Sequence, residues 1–243
     1  MEVICQIRFP TILSIEATDP AQFQDTIRDS FPKYAMQVEN IPQQSQQIKN
    51  HSFISRDGLY KLSLTKSFIA LSTVKYTSWE DFAAQLDKPL AQFINIYKPS
   101  FFERVGLRYV NAFSRQKLSL QDCRWSELIS PQYLGVLSSP DIDESDVAKC
   151  SVDIERALDS HCKLKLHAGP GLIKRNVRTG TSVSAVSENE VRFILDNDLF
   201  LAANIDLRAA VESLNKLHGY ADDIFSGAIT DKLHNALDPI KNI

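Results

Sequence analysis

No stretch of this chain is long and apolar enough to suggest a membrane span, and no two cysteines stand in a CxxC spacing. The four cysteines, at 5, 123, 150 and 162, come without a paired-histidine framework, so no structural zinc, other metal or cofactor is expected. Basic excess is lacking too: 27 Lys and Arg stand against 30 Asp and Glu, a net charge of −3. A dedicated nucleic-acid binder ordinarily carries surplus cations to neutralise phosphates, so that class loses support globally. There is no Walker loop, no GxGxxG and no nucleophile elbow, and catalysis is therefore not the leading expectation. The segment Met1 to Pro10 alternates where a signal peptide would show a basic region and then an apolar run, and a reducing cytoplasm is the expected setting.

Hydrophobic residues make up 44% and charged residues 23% of the 243, enough for a sizeable core. Val3, Cys5, Ile7 and Phe9 alternate with polar neighbours, which predicts a half-buried strand. Asp19-Pro20 should open a helix with the stripe Phe23, Ile27, Phe31, ended by Pro32. The glutamine-rich stretch 40–50 reads as an exposed loop or edge segment. Strands are expected at 52–65, with a break at Asp57-Gly58, and at 68–76. Ser78 should cap a second helix bearing Phe82, Leu86, Leu90, Phe93 and Tyr97, kinked at Pro89 and closed by Pro99. A strand over 103–113 completes the order β-α-β-β-α-β, that of a split-βαβ or ferredoxin-like unit.

The second half reads differently. Short helical turns around Trp125, Leu128 and Pro131 precede an acidic loop over 138–146. Strands follow at 147–157, 161–167, 171–178, 182–187, 190–196 and 199–205, an antiparallel meander. Gly169-Pro170-Gly171, Thr179-Gly180, Glu188-Asn189 and Asp196-Asn197-Asp198 serve as its turns. Two helices close the chain, at 206–218 and 221–237, with Gly219 as the cap between them. The fold class is thus α+β with antiparallel sheet. Halves 1–118 and 119–243 should form one compact unit, with only a faint internal echo between 59–97 and 190–217.

Three segments together carry a resemblance: Glu2 through Phe9, Glu103 through Asn111, and Leu217-His218 through Leu233. Their order and spacing resemble a sporadically distributed bacterial family of about this length whose members have no assigned activity. The Arg108-Tyr109-Val110-Asn111 strand is the most specific element. The resemblance implies a self-contained prokaryotic cytoplasmic protein, in a setting of mobile or defence-associated genes, and supplies no catalytic residues.

Candidate site residues fall in three groups. Arg104 and Arg108 share a strand face with Gly106 between them. Such a pair could bind an anion bidentately, although an ion pair joining two elements is the simpler reading. Lys163, Lys165, His167, Lys174, Arg175 and Arg178 form the one basic concentration, a hairpin that could touch phosphates or be merely solvated. Asp196 and Asp198 would share a face if their strand continued, but a turn is the preferred reading. His218 at a helix end would be explained by the dipole alone. The leading functional expectation is a non-catalytic binding or assembly protein, self-associating as a homodimer because the meander's edges need cover. The alternatives are nucleic-acid binding or processing by the basic hairpin, and small-anion or nucleotide sensing at Arg104 and Arg108.

Overall fold

The computed structural model describes residues 1–41, 46–179 and 182–237, and side chains over 1–38, 48–172 and 190–237. Nine strands form one antiparallel sheet in an α+β chain: β1 Glu2–Arg8, β2 Lys33–Ile41, β3 Gln46–Ile54, β4 Tyr60–Leu64, β5 Phe68–Thr73, β6 Phe102–Phe113, β7 Val152–Ala157, β8 Cys162–Thr179 and β9 Ser182–Ile205. The helices are α1 Leu13–Ala17, α2 Ala21–Ile27, α3 Trp79–Tyr97, α4 Ala210–Ala228 and α5 Asp231–Ala236. Lateral strand order is β2-β3-β4-β5-β1-β6-β9-β8-β7. No described helix is long and apolar enough to cross a membrane.

Two compact units share this chain. The first comprises Met1–Tyr109, Ala157–Lys163 and Asp198–Gly219, the second Val110–Arg156, Leu164–Asn197 and Tyr220–Ile243. Each is discontinuous in sequence because β6, β8, β9 and α4 all run from one into the other.

In the first unit, alternation in β1 buries Val3, Cys5 and Ile7, and the register Cys5↔Leu71 and Ile7↔Ile69 aligns them with the buried side of β5. Phe23 and Ile27 of α2 are fully buried, and Phe23 meets Phe53 edge-on at 5.5 Å. Ser78 caps α3 as expected, its hydroxyl accepting from the Asp81 N–H at 3.1 Å. The helix then runs unbroken past Pro89, with Leu86, Leu90 and Phe93 buried around it. Burial pushes the Cys5 thiol up to about 12, which makes it a packing residue and no nucleophile.

The strand succession departs from the expected β-α-β-β-α-β. Lys33–Ile41 is a strand, so the glutamine-rich stretch belongs to a β2–β3 hairpin at the sheet's end, while 42–45 lie outside the described residues. Asp19-Pro20 does precede a helix, with Pro20 itself at the capping position, one residue later than predicted.

Four punctuation signals in the second half fail. Gly169-Pro170-Gly171 lies inside β8. A Cβ on Gly169 would fall 2.4 Å from the Cys150 carbonyl oxygen, so this glycine serves a close backbone approach and makes no turn. Glu188-Asn189 and Asp196-Asn197-Asp198 both lie inside β9. Gly219 lies inside α4, whose buried Ala210, Leu214, Leu217, Ala221 and Ala228 keep helical phase across it.

A helical glycine costs about 1 kcal/mol relative to alanine, and a Cβ on Gly219 would meet nothing within 4 Å. Gly219→Ala should therefore raise unfolding stability by about 0.5–1 kcal/mol in urea titration. A second prediction concerns His51, which is buried with Nδ1 2.8 Å from the Tyr34 hydroxyl. Burial holds its pKa below the ordinary 6.5, with Asp19 opposing and Lys49 reinforcing. The unfolded chain therefore binds the extra proton first, and stability should fall as pH drops below about 6.5. Urea midpoints measured from pH 7.5 to 5.5 should slope less in His51→Asn than in the native chain.

Candidate functional site

Among the described residues a concavity lies within the second unit, and local capping builds it. After β6 the chain turns at Ser114, whose hydroxyl donates to Glu190 Oε1 at 2.5 Å and accepts from the Lys117 N–H at 3.0 Å. Arg115 then leaves the sheet. Its Nη1 donates to the Cys123 carbonyl at 2.7 Å and to Glu144, and its guanidinium stacks 4.3 Å from the ring centre of buried Trp125. Glu144 is placed by a single turn over Glu144–Asp146 that Asp143 caps, Oδ1 accepting from the Ser145 N–H at 2.9 Å. Its second oxygen accepts the Trp125 N–H at 2.9 Å. Glu144 thus joins the guanidinium to the Trp125 backbone while the guanidinium covers the indole, so each member of the ion pair has a second partner.

A cavity of about 720 Å³ opens beside this triad. Pro170, Leu172 and Val191 of the long strands line one side, while Leu137, Val147 and Cys150 line the other. Cys150 packs closely on both sides: a Cβ on Gly169 would fall against its carbonyl, and one on left-handed Gly135 (φ 54) would lie 3.3 Å from its sulfur. Lys149 adds a second, exposed cation to the wall. A smaller cavity of about 400 Å³ shares Arg115 and Val191 and reaches Gln116, Gln121 and Glu190. The Ser114 hydroxyl, then the Gln116 N–H and Arg192, hold Glu190 below the usual carboxylate range, so it stays ionised there.

The residues singled out from sequence lie elsewhere. Arg104 donates to both oxygens of Asp198, at 2.6 and 2.8 Å, and stands 4.6 Å from the centre of the Phe200 ring. The room beside Gly106 is filled by that guanidinium, since a Cβ on Gly106 would lie 2.2 Å from Arg104 Nη1. The anion that Arg104 grips is therefore the chain's own carboxylate. Arg108 is exposed on the same strand face and has an interaction of its own. On β8, Lys163, Lys165 and His167 share the exposed face, as alternation predicts. Lys165 pairs with Glu155 at 2.9 Å and His167 with Asp153 at 2.7 Å, so carboxylates on β7 already partner two of these three side chains. Lys174, Arg175 and Arg178 fall on β8, with side chains outside those described.

Asp196 and Asp198 do share a strand face, and among the described residues no group of three or more potential ligands gathers to hold a metal. His218 sits inside α4, a correction to its placement at a helix end. Its ring stacks on Trp79 at 4.8 Å and 15°, and Nδ1 lies 3.0 Å from the Tyr109 hydroxyl. Arg115 and Glu144 carried no signal in the sequence. They are 29 residues apart in non-periodic segments, and only the unusual tryptophan within a polar stretch hinted at a buried anchor. The chain matches no family model, no curated protein and no solved structure in comparisons with each.

Two substitutions test the Arg104 arrangement. Asp198→Ala should cost about 2 kcal/mol in urea unfolding, less than for a fully buried pair because both side chains retain some exposure. Gly106→Ala should displace the guanidinium and cost a similar amount alone. It should cost little when added to Asp198→Ala, giving a coupling energy of about 1–2 kcal/mol in the double-mutant cycle.

Proposed function

We propose that this is a non-catalytic binding protein that takes a small amphipathic anion, an apolar or aromatic body with one acidic head group, in the cavity beside Arg115. The cavity itself is the observation that carries the reading: its size suits a small ligand, its walls are mostly apolar, and its few polar groups converge. Arg115 and Lys149 against Glu144 leave one net positive charge on those walls. Arg115 is already oriented by Trp125, Cys123 and Glu144, so binding would order little that is not already ordered. The cytoplasmic, prokaryotic setting implied by the family resemblance belongs with this reading.

A second reading, nucleic-acid binding by the basic hairpin, is favoured by one observation. β8 and β9 are neighbours 18 and 24 residues long, against 12 and 6 in the strands β6 and β7 that flank them, and that excess length would suit a two-stranded extension entering a major groove. Salt-sensitive RNA or DNA binding, lost on charge reversal at Lys174 and Arg175, would support it over the cavity. Sensing of an external anion at Arg104 and Arg108 has less support: Asp198 takes Arg104 just as Glu144 takes Arg115, and it is the apolar lining around Arg115 that favours the cavity.

Anilinonaphthalene sulfonate has the required chemistry and serves as the probe. The native protein should enhance its fluorescence at one saturable site. Val191→Glu, at an exposed position lining the cavity, should weaken that binding at least tenfold with the circular dichroism spectrum unchanged. Absence of binding to the folded chain, or binding indifferent to Val191→Glu, would contradict the proposal.

A further inference from the structure

The terminal strand β2 breaks the rule that sheet edges are protected. It is nine residues long, contains no proline, and exposes Tyr34 (42%), Met36 (45%) and Val38 (47%) along one face. Its register with β3 identifies that face: Tyr34↔Phe53 and Met36↔His51 set it on the side of two fully buried residues. Phe53 is covered by Phe23 of α2, whereas the row on β2 is left uncovered. The apolar layer of the first unit therefore extends one strand beyond its cover. Tyr34 is further held in place by its hydroxyl's bond to His51. The opposite margin of β2 faces no further strand of the sheet.

From this edge we infer a homodimer in which β2 pairs antiparallel with β2 of a second copy, about a twofold axis at Met36. The occupant is read from the strand itself. Lys33-Tyr34-Ala35-Met36-Gln37-Val38-Glu39 is its own complement about the central methionine. Tyr34 is matched with Val38, Ala35 with Gln37, Lys33 with Glu39, and Met36 with itself. An isologous contact sets each residue opposite its mirror position, and here that puts apolar against apolar on the exposed face and a lysine opposite a glutamate at the segment's ends. Pairing would satisfy the outward backbone groups and join two exposed apolar rows into one continuous layer. Lys33 gives up only an exposed bond to the Arg56 carbonyl to reach its match. The inference concerns a different surface from the cavity and stands or falls without it.

Sedimentation of the full chain at tens of micromolar should give a dimer, converted to monomer by Met36→Lys, which sets two like charges at the axis. Cysteine cross-linking tests the register. Across the axis Met36 approaches its own copy to about 5 Å between Cα atoms, within disulfide range. Val38 stands about 14 Å from its copy. Under mild oxidant Met36→Cys should form a covalent dimer at least tenfold more than Val38→Cys or the native chain with its own four cysteines. A native chain that stays monomeric, a dimer indifferent to Met36→Lys, or preferential cross-linking at position 38 would each overturn the inference.

Discussion

Strand β9 stays extended through Asp196-Asn197-Asp198, and much else depends on that continuity. Three polar turn-forming residues in a row ordinarily reverse the chain. Here Asp198 is gripped at both oxygens by Arg104. Asn197 stays on the buried side in the alternation that includes Phe193, Leu195 and Leu199. A slip of one residue would turn every one of these to the opposite face. Val191 would leave the cavity wall, and Phe193 would lose its contact with Trp125, now 5.5 Å between ring centres. Alternation thus decides which side chains face the ion pair within the first unit and which face the cavity within the second.

Period-two alternation was legible wherever a strand buries one face, as in β1 and β6, and the Ser78 cap and the α3 stripe read equally well. Local turn chemistry misled wherever a tertiary partner outweighed it. Gly169 looked like part of a turn because the backbone it admits, at Cys150, is distant in sequence. Gly219 looked like a helix end because a glycine in mid-helix costs little against a stripe of buried residues on both sides. β2 was missed as a strand although Tyr34, Met36 and Val38 alternate with Lys33, Gln37 and Glu39, because Pro32 on one side and the glutamine-rich run on the other read as loop. Arg115, Trp125 and Glu144 meet through irregular segments, where no periodicity could announce them.

The charges that looked most functional in the sequence have structural partners close by. Asp198 takes Arg104, Glu155 takes Lys165, and Asp153 takes His167. The features proposed above to bind carry few charges: a mostly apolar cavity with an anchored guanidinium, and an uncovered strand edge. Both are places where apolar surface outruns its cover, which is where binding gains most from excluding water.

Backbone hydrogen exchange across 190–204 tests the central claim most directly. The continuous strand predicts slow exchange at the inward-bonded amides on both sides of Asn197, with protection lost together there in Asp198→Ala. Rapid exchange confined to 196–198 in the native chain, as a turn between two separate strands would give, would contradict it.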